Sequence, residues 1–337
     1  MTMTADNTSP IVSARNLTQD FNMGGALFKK SILRALNAVS FDLFPGQALA
    51  IVGESGSGKS TSARILAQIY QPTSGEVTFN GKPMAEMVAE SGKRGFASHV
   101  QMIFQDPFGS LNPVHRVFYQ IARPLQLHNK TADPEKLRAR VIELLETVGL
   151  TPAEETADKF PYELSGGQRQ RVAIARALAV DPQVILADEP ISMLDVSIRL
   201  GILNLMIDLK EKHGIAFMYI THDIATARYF AERTAVMYVG HMVEWGNSDS
   251  VTQTPQHPYT QLLLAAAPQP GSQKNRDMRQ YQHKADIPMW QPDSKGCPFA
   301  ERCPHASPVC KTQLPGVTQI AEDHFVRCYL YESDNAS

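Results

Sequence analysis

The sequence lacks any run of about eighteen consecutive apolar residues, so we expect no helix that spans a membrane. Residues 1–10 are polar and have no apolar centre of the kind found in a secretory signal peptide. The formal net charge is −2, which argues against the basic surface that binds nucleic acid. These absences predict a cytoplasmic protein, in which the four cysteines would be metal ligands or free thiols rather than disulfides.

The composition that is present is ordinary for a globular protein. The 337 residues are 43% hydrophobic and 20% charged, so the chain can bury the core of one large domain or two medium ones. Any prediction of function must therefore rest on motifs rather than on composition.

A glycine-rich segment at 53–60 follows the apolar run 49–52 and precedes a predicted helix. Strand, glycine-rich turn and helix are the context in which backbone amides bind phosphate. The glycines would allow positive φ angles, so that successive N–H groups point into one concavity. Lys59 would bind the β and γ phosphates, and the Ser60 hydroxyl would bind Mg²⁺. The nucleotide-binding residues predicted here are Gly53, Glu54, Ser55, Gly56, Ser57, Gly58, Lys59, Ser60 and Thr61.

Residues 11–21 and 35–44 alternate between apolar and polar residues and are predicted to be strands. Phe21, which ends the first of them, lies upstream of the phosphate-binding segment. Its ring could stack on adenine or could be a core or edge aromatic, and the sequence favours neither interpretation.

Three further apolar runs lead into polar residues. The residues that follow these runs are Gln105, the pair Asp188 and Glu189, and His222. Because ligands bind at the carboxyl ends of parallel strands, we expect these side chains to meet the phosphate-binding segment in one crevice. Adjacent carboxylates that leave a buried strand are costly to desolvate, so they need a cation or a functional role.

Between about residues 107 and 163 the pattern becomes helical, which indicates an insertion between two strands of a sheet. A helix that begins at Pro134 and ends at Gly149 has an apolar stripe suited to core packing. The stripe consists of Leu137, Val141, Leu144, Leu145 and Val148.

The segment 164–168 precedes a helix predicted over 169–180. Ser165 is a good helix cap, and Gly166 and Gly167 would expose the first amides of the helix. Two glycines are costly at a helix start, so we expect another group to approach this backbone closely.

The chain changes again after Asn247. A hairpin predicted over 235–246 turns at Gly240-His241, and a short apolar helix begins at 257–259. A polar linker near 268–286 then leads to an end that is rich in cysteine and proline.

Taken together, these motifs resemble those of the ATP-binding subunit of an ATP-binding-cassette (ABC) transporter. Residues 53–60 resemble the Walker A motif, residues 164–168 the family signature, and residues 184–189 the Walker B motif with its catalytic carboxylate. Gln105 resembles the Q-loop glutamine and His222 the switch histidine.

Residues 192–195 resemble the D-loop, although Met193 stands where a small residue is common. The resemblance implies an α/β fold, that of a P-loop NTPase of the ABC type, with an antiparallel β subdomain. It also implies a helical subdomain at about 106–170. The ATP-binding domain would cover 1–250, and a small cysteine-containing extension would cover 251–337.

The tail resembles the C-terminal extension of the oligopeptide/dipeptide importer subfamily, through residues 257–260 and the pattern that begins at Gly296. In relatives this extension can hold a [4Fe-4S] cluster. The four thiols are Cys297, Cys303, Cys310 and Cys328. Their spacing differs from the paired C-x₂-C of zinc ribbons, so a cluster ranks first, a zinc site second and free structural thiols third.

The resemblance implies ATP hydrolysis coupled to import. Ser60, Gln105 and Asp188 would complete the Mg²⁺ shell, Glu189 would activate the attacking water, and His222 would contact the γ-phosphate. The resemblance further implies a head-to-tail partner ATPase, either a paralogue or an identical copy, whose signature covers this chain's nucleotide. The residues of this chain implied for the opposite site are Ser165, Gly166, Gly167, Gln168 and Asp195.

The implied assembly adds two transmembrane permease subunits and an extracytoplasmic solute-binding protein, with this chain peripheral at the cytoplasmic face of the cell membrane. Peptides are the default cargo of the subfamily, but relatives also carry oligosaccharides, opines or nickel. One rival is a soluble cassette ATPase of the repair or translation-factor kind, although the sequence has one Walker A motif and no long basic segment. The other is a nucleotide-dependent binding module without a role in transport.

Overall fold

The computed structural model describes residues 9–24, 31–128, 130–131, 133–266 and 288–332. Its strands are β1 (Val12–Asn22), β2 (Ile32–Leu43), β3 (Ala48–Val52), β4 (Ser74–Phe79), β5 (Lys82–Pro83), β6 (Val100–Ile103), β7 (Val184–Asp188), β8 (Ala216–Thr221), β9 (Arg233–Tyr238), β10 (His241–Asn247), β11 (Thr318–Ala321) and β12 (His324–Val326). Its helices are α1 (Lys59–Leu66), α2 (Met84–Ala97), α3 (Pro107–Ser110), α4 (Val117–Leu127), α5 (Pro134–Thr147), α6 (Ala153–Asp158), α7 (Gly166–Leu178), α8 (Val196–His213), α9 (Ile224–Phe230), α10 (Ser248–Gln253), α11 (Pro258–Ala266) and α12 (Pro308–Thr312). Within these ranges, no helix combines the length and the apolar character needed to cross a bilayer.

The main sheet has the strand order β11-β12-β10-β9-β3-β8-β7-β6. Strands β9, β3, β8, β7 and β6 are parallel to one another. Every residue of β3, β7 and β8 is buried, which explains why the sequence of these strands is continuously apolar rather than alternating. Their carboxyl ends therefore open onto a single edge of the sheet.

A second, antiparallel sheet has the order β2-β1-β4-β5. Leu17, Phe41 and Phe79 of this sheet share one buried cluster with Leu49 and Ile51 of β3, so the two sheets pack against each other. The predicted antiparallel subdomain is confirmed, and β2 begins at residue 32 rather than at 35.

Helices α3 to α7 lie between β6 and β7 in the chain and form the predicted helical insertion. Asp133 caps α5, where its carboxylate accepts hydrogen bonds from the N–H groups of residues 135 and 136. All five residues of the predicted apolar stripe of α5 are buried in the larger core. Gly149, at φ +72°, follows the end of this helix as expected.

Helix α2 was not predicted from the sequence. Met84 is buried and Met87 and Val88 pack against the core, whereas most of the helix is exposed. Gly92 interrupts it with a non-helical φ of 71°. Phe96, near the end of the helix, is buried as well. The spacing of these apolar residues was the signal in the sequence, and the polar residues around them obscured it.

The C-terminal extension continues the main sheet, because β12 pairs with β10 in antiparallel fashion. A third buried cluster joins Tyr238 of β9 to Tyr259 of α11 and to Phe299. The hairpin between β9 and β10 turns at Val239 and Gly240, both at positive φ, so the prediction of a turn at Gly240-His241 is wrong by one residue. The linker predicted near 268–286 lies outside the described residues.

Candidate active site

The carboxyl ends of β3, β8, β7 and β6 stand side by side, and the segments that follow them form one cavity of about 650 Å³. The cavity is lined by Phe21, Leu33, Ala35, Glu54, Ser55, Gly56, Ser57, Gly58, Lys59, Ser60, Thr61, Gln105, Glu189 and His222. The fold thus brings together residues that are far apart in the chain, as the adjacency of the parallel strands predicts.

The glycines of residues 53–60 serve two different purposes. Gly58 has φ +99°, and a Cβ there would also collide with the carbonyl oxygen of Ala35. Gly53 does not have positive φ, so the prediction is wrong for that residue. It is required because a Cβ at Gly53 would collide with the carbonyl oxygen of Met237. Close approach of backbone, rather than a left-handed conformation, explains this first glycine.

Lys59 begins α1 and is only 5% exposed. Its Nζ donates hydrogen bonds of 2.8 Å to the carbonyl oxygens of Gly53 and Glu54. An ammonium group has three donors, so one N–H remains for an anion in the cavity. Burial lowers the pKa of Lys59, and the nearby carboxylates of Glu189 and Asp188 oppose that shift. A bound phosphate would add negative charge beside this buried cation.

The next residue, Ser60, donates a hydrogen bond of 2.8 Å to Oδ1 of Asp188. Asp188 is 6% exposed at the end of β7, and burial raises its pKa, while the hydrogen bond from Ser60 acts in the opposite direction. A hydroxyl beside a buried carboxylate is an oxygen donor set that fits Mg²⁺.

Glu189 lies at the centre of the polar residues. Its Oε2 accepts a hydrogen bond of 3.0 Å from Nε2 of Gln105 and lies 3.3 Å from Nδ1 of His222. Its backbone has φ 47°, a left-handed conformation that is uncommon for a residue with a Cβ. The hydroxyl of Ser192 donates to the carbonyl oxygen of Glu189 and supports this conformation. The carboxylate is therefore positioned at the cavity by side chains from the loops that follow β6 and β8.

Phe21 lines the cavity and also packs edge to face on Tyr70, with ring centroids 5.3 Å apart. Both interpretations of this ring are thus compatible with its position: one part of the ring packs on protein, and another borders the space for a base.

The segment 165–168 begins α7 and lies away from the cavity lining. Ser165 and Gln168 cap each other reciprocally, which confirms the predicted cap. A Cβ on Gly167 would lie 2.6 Å from Cγ2 of Ile198, so α8 of the same chain is one group that approaches this backbone closely. Asp195 is the N-cap residue of α8.

Two residues near the cavity were missed from the sequence. The hydroxyl of Tyr259 accepts a hydrogen bond from the N–H of Glu54, and the guanidinium of Arg302 binds the Glu54 carboxylate. Tyr259 and Arg302 each stand in a stretch that resembles the subfamily, but the sequence indicated no role near the phosphate loop for either.

The four cysteines line a separate cavity of about 100 Å³ in the C-terminal extension. Burial raises the pKa of Cys297 to about 12 and that of Cys328 to about 11, and it also raises the pKa of Cys303. Within the described ranges, no group of three or more His, Cys, Asp or Glu residues is arranged to hold a metal ion. The geometry of the described residues therefore does not support the [4Fe-4S] cluster predicted from the sequence.

Residues 36–192 match the family model of the ABC transporter, and residues 243–310 match the oligopeptide/dipeptide transporter C-terminal region. The chain is 40% identical to the oligopeptide transport ATP-binding protein AppF of Bacillus subtilis, over 98% of this chain and 100% of that protein. The chain belongs to the ABC transporter ATP-binding family.

Other relatives agree with this membership. The di/tripeptide transport ATP-binding protein DppF of Pseudomonas aeruginosa is 39% identical over 95% of this chain and 97% of its own length. Among solved structures, the ATP-binding cassette MJ0796 in a dimeric post-hydrolysis state with ADP and Pi is 33% identical, with a TM-score of 0.62 over 70% of this chain and 98% of that one. The family resemblance, the fold class and the ATPase activity predicted from the motifs are confirmed.

Proposed function

We propose that this chain is the ATP-hydrolysing subunit of an importer that takes up dipeptides or oligopeptides. The observation that carries the proposal is the combination, in one chain, of the phosphate-loop cavity with the C-terminal region of oligopeptide/dipeptide transporters. Relatives that match nearly the full chain are named for oligopeptide or di/tripeptide transport.

The proposed hydrolysis depends on positioning and charge rather than on a covalent intermediate. Lys59 would bind the β and γ phosphates with its remaining N–H group, and the oxygens of Ser60, Gln105 and Asp188 would hold Mg²⁺. The ion, when bound, supplies charge neutralisation to the phosphoryl group. Glu189 would orient or deprotonate the attacking water.

His222, within reach of the same carboxylate oxygen, would contact the γ-phosphate and respond to its loss. Water must be excluded for these groups to act at full strength. We propose that a second ATPase subunit, a paralogue or an identical copy, closes the cavity with its own signature, while residues 165–168 and Asp195 of this chain serve the opposite site. In this account residues 1–250 are the ATP-binding domain, with a helical subdomain at about 106–170, and residues 251–337 are the extension.

We propose further that Cys297, Cys303, Cys310 and Cys328 hold a [4Fe-4S] cluster. Their convergence on one cavity supports this, as four thiolates are the usual ligand set of such clusters. Iron analysis and visible absorption of anaerobically purified protein test the proposal. Bound zinc, or thiols without metal, would contradict it.

The full assembly would contain two transmembrane permeases and an extracytoplasmic solute-binding protein, with this chain peripheral at the cytoplasmic face of the membrane. Affinity purification of the full-length chain from detergent-solubilised membranes tests this. Recovery of two polytopic membrane proteins would support it. Recovery of none, from a chain that hydrolyses ATP, would favour a non-transport cassette ATPase.

The cargo is tested on the solute-binding protein that works with this subunit. Binding of a panel of dipeptides, tripeptides and longer peptides is compared with binding of oligosaccharides by calorimetry. Peptide binding supports the proposal. Binding of oligosaccharides alone would leave the ATPase role in place and overturn the peptide assignment.

A further inference from the structure

The C-terminal extension holds one residue of the phosphate loop, Glu54, at both its side chain and its backbone. Nη1 and Nη2 of Arg302 bind the two carboxylate oxygens of Glu54 at 2.7 and 2.9 Å. The hydroxyl of Tyr259 accepts a hydrogen bond of 2.8 Å from the Glu54 N–H. This amide therefore points back into the protein rather than into the nucleotide cavity.

Within the described residues, the carboxylate of Glu54 is the one anionic partner of Arg302. Its side chain is 5% exposed and lies between the rings of Tyr238 and Phe299, with Cζ 5.6 and 5.7 Å from their centroids. Its one other hydrogen bond within the described residues goes from Nη1 to the hydroxyl of Tyr238, at 3.2 Å. A buried guanidinium is costly unless it is paired, so the position of Arg302 depends on Glu54. The side chain of Glu54 is 29% exposed, and its two carboxylate oxygens are held in place by the bidentate contact with Arg302.

Tyr259 is fixed just as firmly. It is fully buried, and its N–H donates to Nδ1 of His257 at 3.0 Å. The carboxylate of Glu244 accepts the N–H groups of Gln256 and His257, which anchors the start of α11 to β10. The tyrosine hydroxyl therefore reaches Glu54 from a rigid support.

The third contact of Glu54 connects it to the nucleotide-binding cation. The carbonyl oxygen of Glu54 accepts a hydrogen bond of 2.8 Å from Nζ of Lys59. The side chain, the N–H and the carbonyl of this one residue are thus bound by Arg302, Tyr259 and Lys59. A shift of Glu54 would move an acceptor of the Lys59 ammonium group and would change the curvature of the loop.

We propose that Arg302 and Tyr259 are positioning residues for the phosphate loop, so that the C-terminal extension sets the affinity of the cavity for nucleotide. The extension shapes the loop before nucleotide arrives, which lowers the cost of ordering it on binding. This inference rests on the ATPase activity of the chain and is independent of the cargo and of any metal bound by the cysteines.

The test compares the full-length chain with Arg302→Gln, Glu54→Gln and the double variant. Kd for a fluorescent ATP analogue, KM and kcat are measured with thermal stability. We expect each single variant to raise Kd and KM roughly tenfold while kcat changes by less than about threefold. The increase in Kd and KM in the double variant should be much smaller than the two single effects combined, because the two residues act through one contact.

Lys311→Gln is the matched control, since it removes another cation of the extension, one paired with exposed Glu301. It should leave Kd and KM unchanged. Tyr259→Phe keeps the buried ring and removes only the acceptor, so it tests the proposal even if Arg302→Gln does not fold. A raised Kd with near-normal thermal stability is expected for it.

Two results would overturn the proposal. One is an unchanged Kd and KM in Arg302→Gln and Tyr259→Phe, whether or not stability falls, because the contacts would then be structural only. The other is a double variant in which the effects of Arg302→Gln and Glu54→Gln on Kd are fully additive in free energy. A wild-type chain that binds no ATP would instead contradict the ATPase assignment, and the proposed positioning role would then be wrong as well.

Discussion

The hydroxyl of Ser60 donates a hydrogen bond of 2.8 Å to Oδ1 of Asp188, and so joins the first turn of α1 to the end of β7. Neither residue is near the other in the chain, yet together they place two oxygen donors beside the phosphate loop. This pair is therefore where the proposed Mg²⁺ site can be tested.

Ser60→Ala should raise the Mg²⁺ concentration needed for half-maximal ATPase activity, on the order of tenfold, because it removes one oxygen ligand. Ser62→Ala is the matched control, since its hydroxyl lies on the same helix and, in the part of the chain that the structure describes, bonds only to the Gly58 carbonyl. A Mg²⁺ titration of the ATPase rate measures the effect. An equal shift in both variants would contradict a metal-binding role for Ser60.

Gly167 and Gly166 are neighbours at the start of α7, but they should respond differently to substitution. A Cβ on Gly167 would lie 2.6 Å from Cγ2 of Ile198, whereas one on Gly166 would meet Cδ2 of Leu194 at an ordinary 3.5 Å. Gly167→Ala should lower the free energy of unfolding by about 1–3 kcal/mol through overpacking. Gly166→Ala should be neutral or stabilising by up to about 1 kcal/mol.

Chemical denaturation of the two variants measures this difference. Ile198→Ala in the Gly167→Ala background should recover part of the loss, since it removes the atom that the new Cβ meets. Equal stability of the two glycine variants would show that Ile198 does not constrain the signature backbone.

His241 should make the protein sensitive to acid. Its Nδ1 donates to the Val239 carbonyl at 2.6 Å, so its Nε2 accepts from Nδ2 of Asn37 at 2.8 Å, and burial lowers its pKa to about 4. Between about pH 6.5 and 4 the unfolded chain binds a proton at this site and the folded chain does not. Stability contributed by the neutral ring is present above that window and is lost as the pH falls through it.

The expected contribution of His241 is about 1.4 kcal/mol of unfolding free energy per pH unit within that window. His241→Gln should reduce the slope of stability against pH by this amount, measured by denaturant titration at several pH values. A His241→Gln slope equal to that of the wild type would contradict the account.

The sequence predicted that the strand ends of the candidate site meet at one edge of the sheet, because the pattern that marks each strand is local. A strand that is buried on both faces is almost continuously apolar, so β3, β7 and β8 can be recognised as apolar runs in the sequence. The polar residues that end or follow these runs are recognised with them. The capping of α7 by Ser165 and Gln168 is local as well.

What the sequence did not reveal depends on contacts between distant residues. Arg302 binds Glu54 across 248 positions, and neither residue carries a pattern that points to the other. The continuation of the main sheet by β12 depends on its register with β10, which hydrophobic periodicity does not specify for a strand of three residues. The reason for Gly53 was misread because a close approach to Met237 leaves no mark in the local sequence.

Glu189→Gln tests the central claim most directly, because it keeps the size of the side chain and removes only the charge that would activate water. Nucleotide Kd should stay within about threefold of wild type, while kcat for ATP hydrolysis should fall about 100-fold or more. Glu211→Gln, an exposed residue of α8, is the control and should leave both unchanged. Turnover at the wild-type rate in Glu189→Gln would contradict the assignment of this cavity as the site of ATP hydrolysis by Glu189.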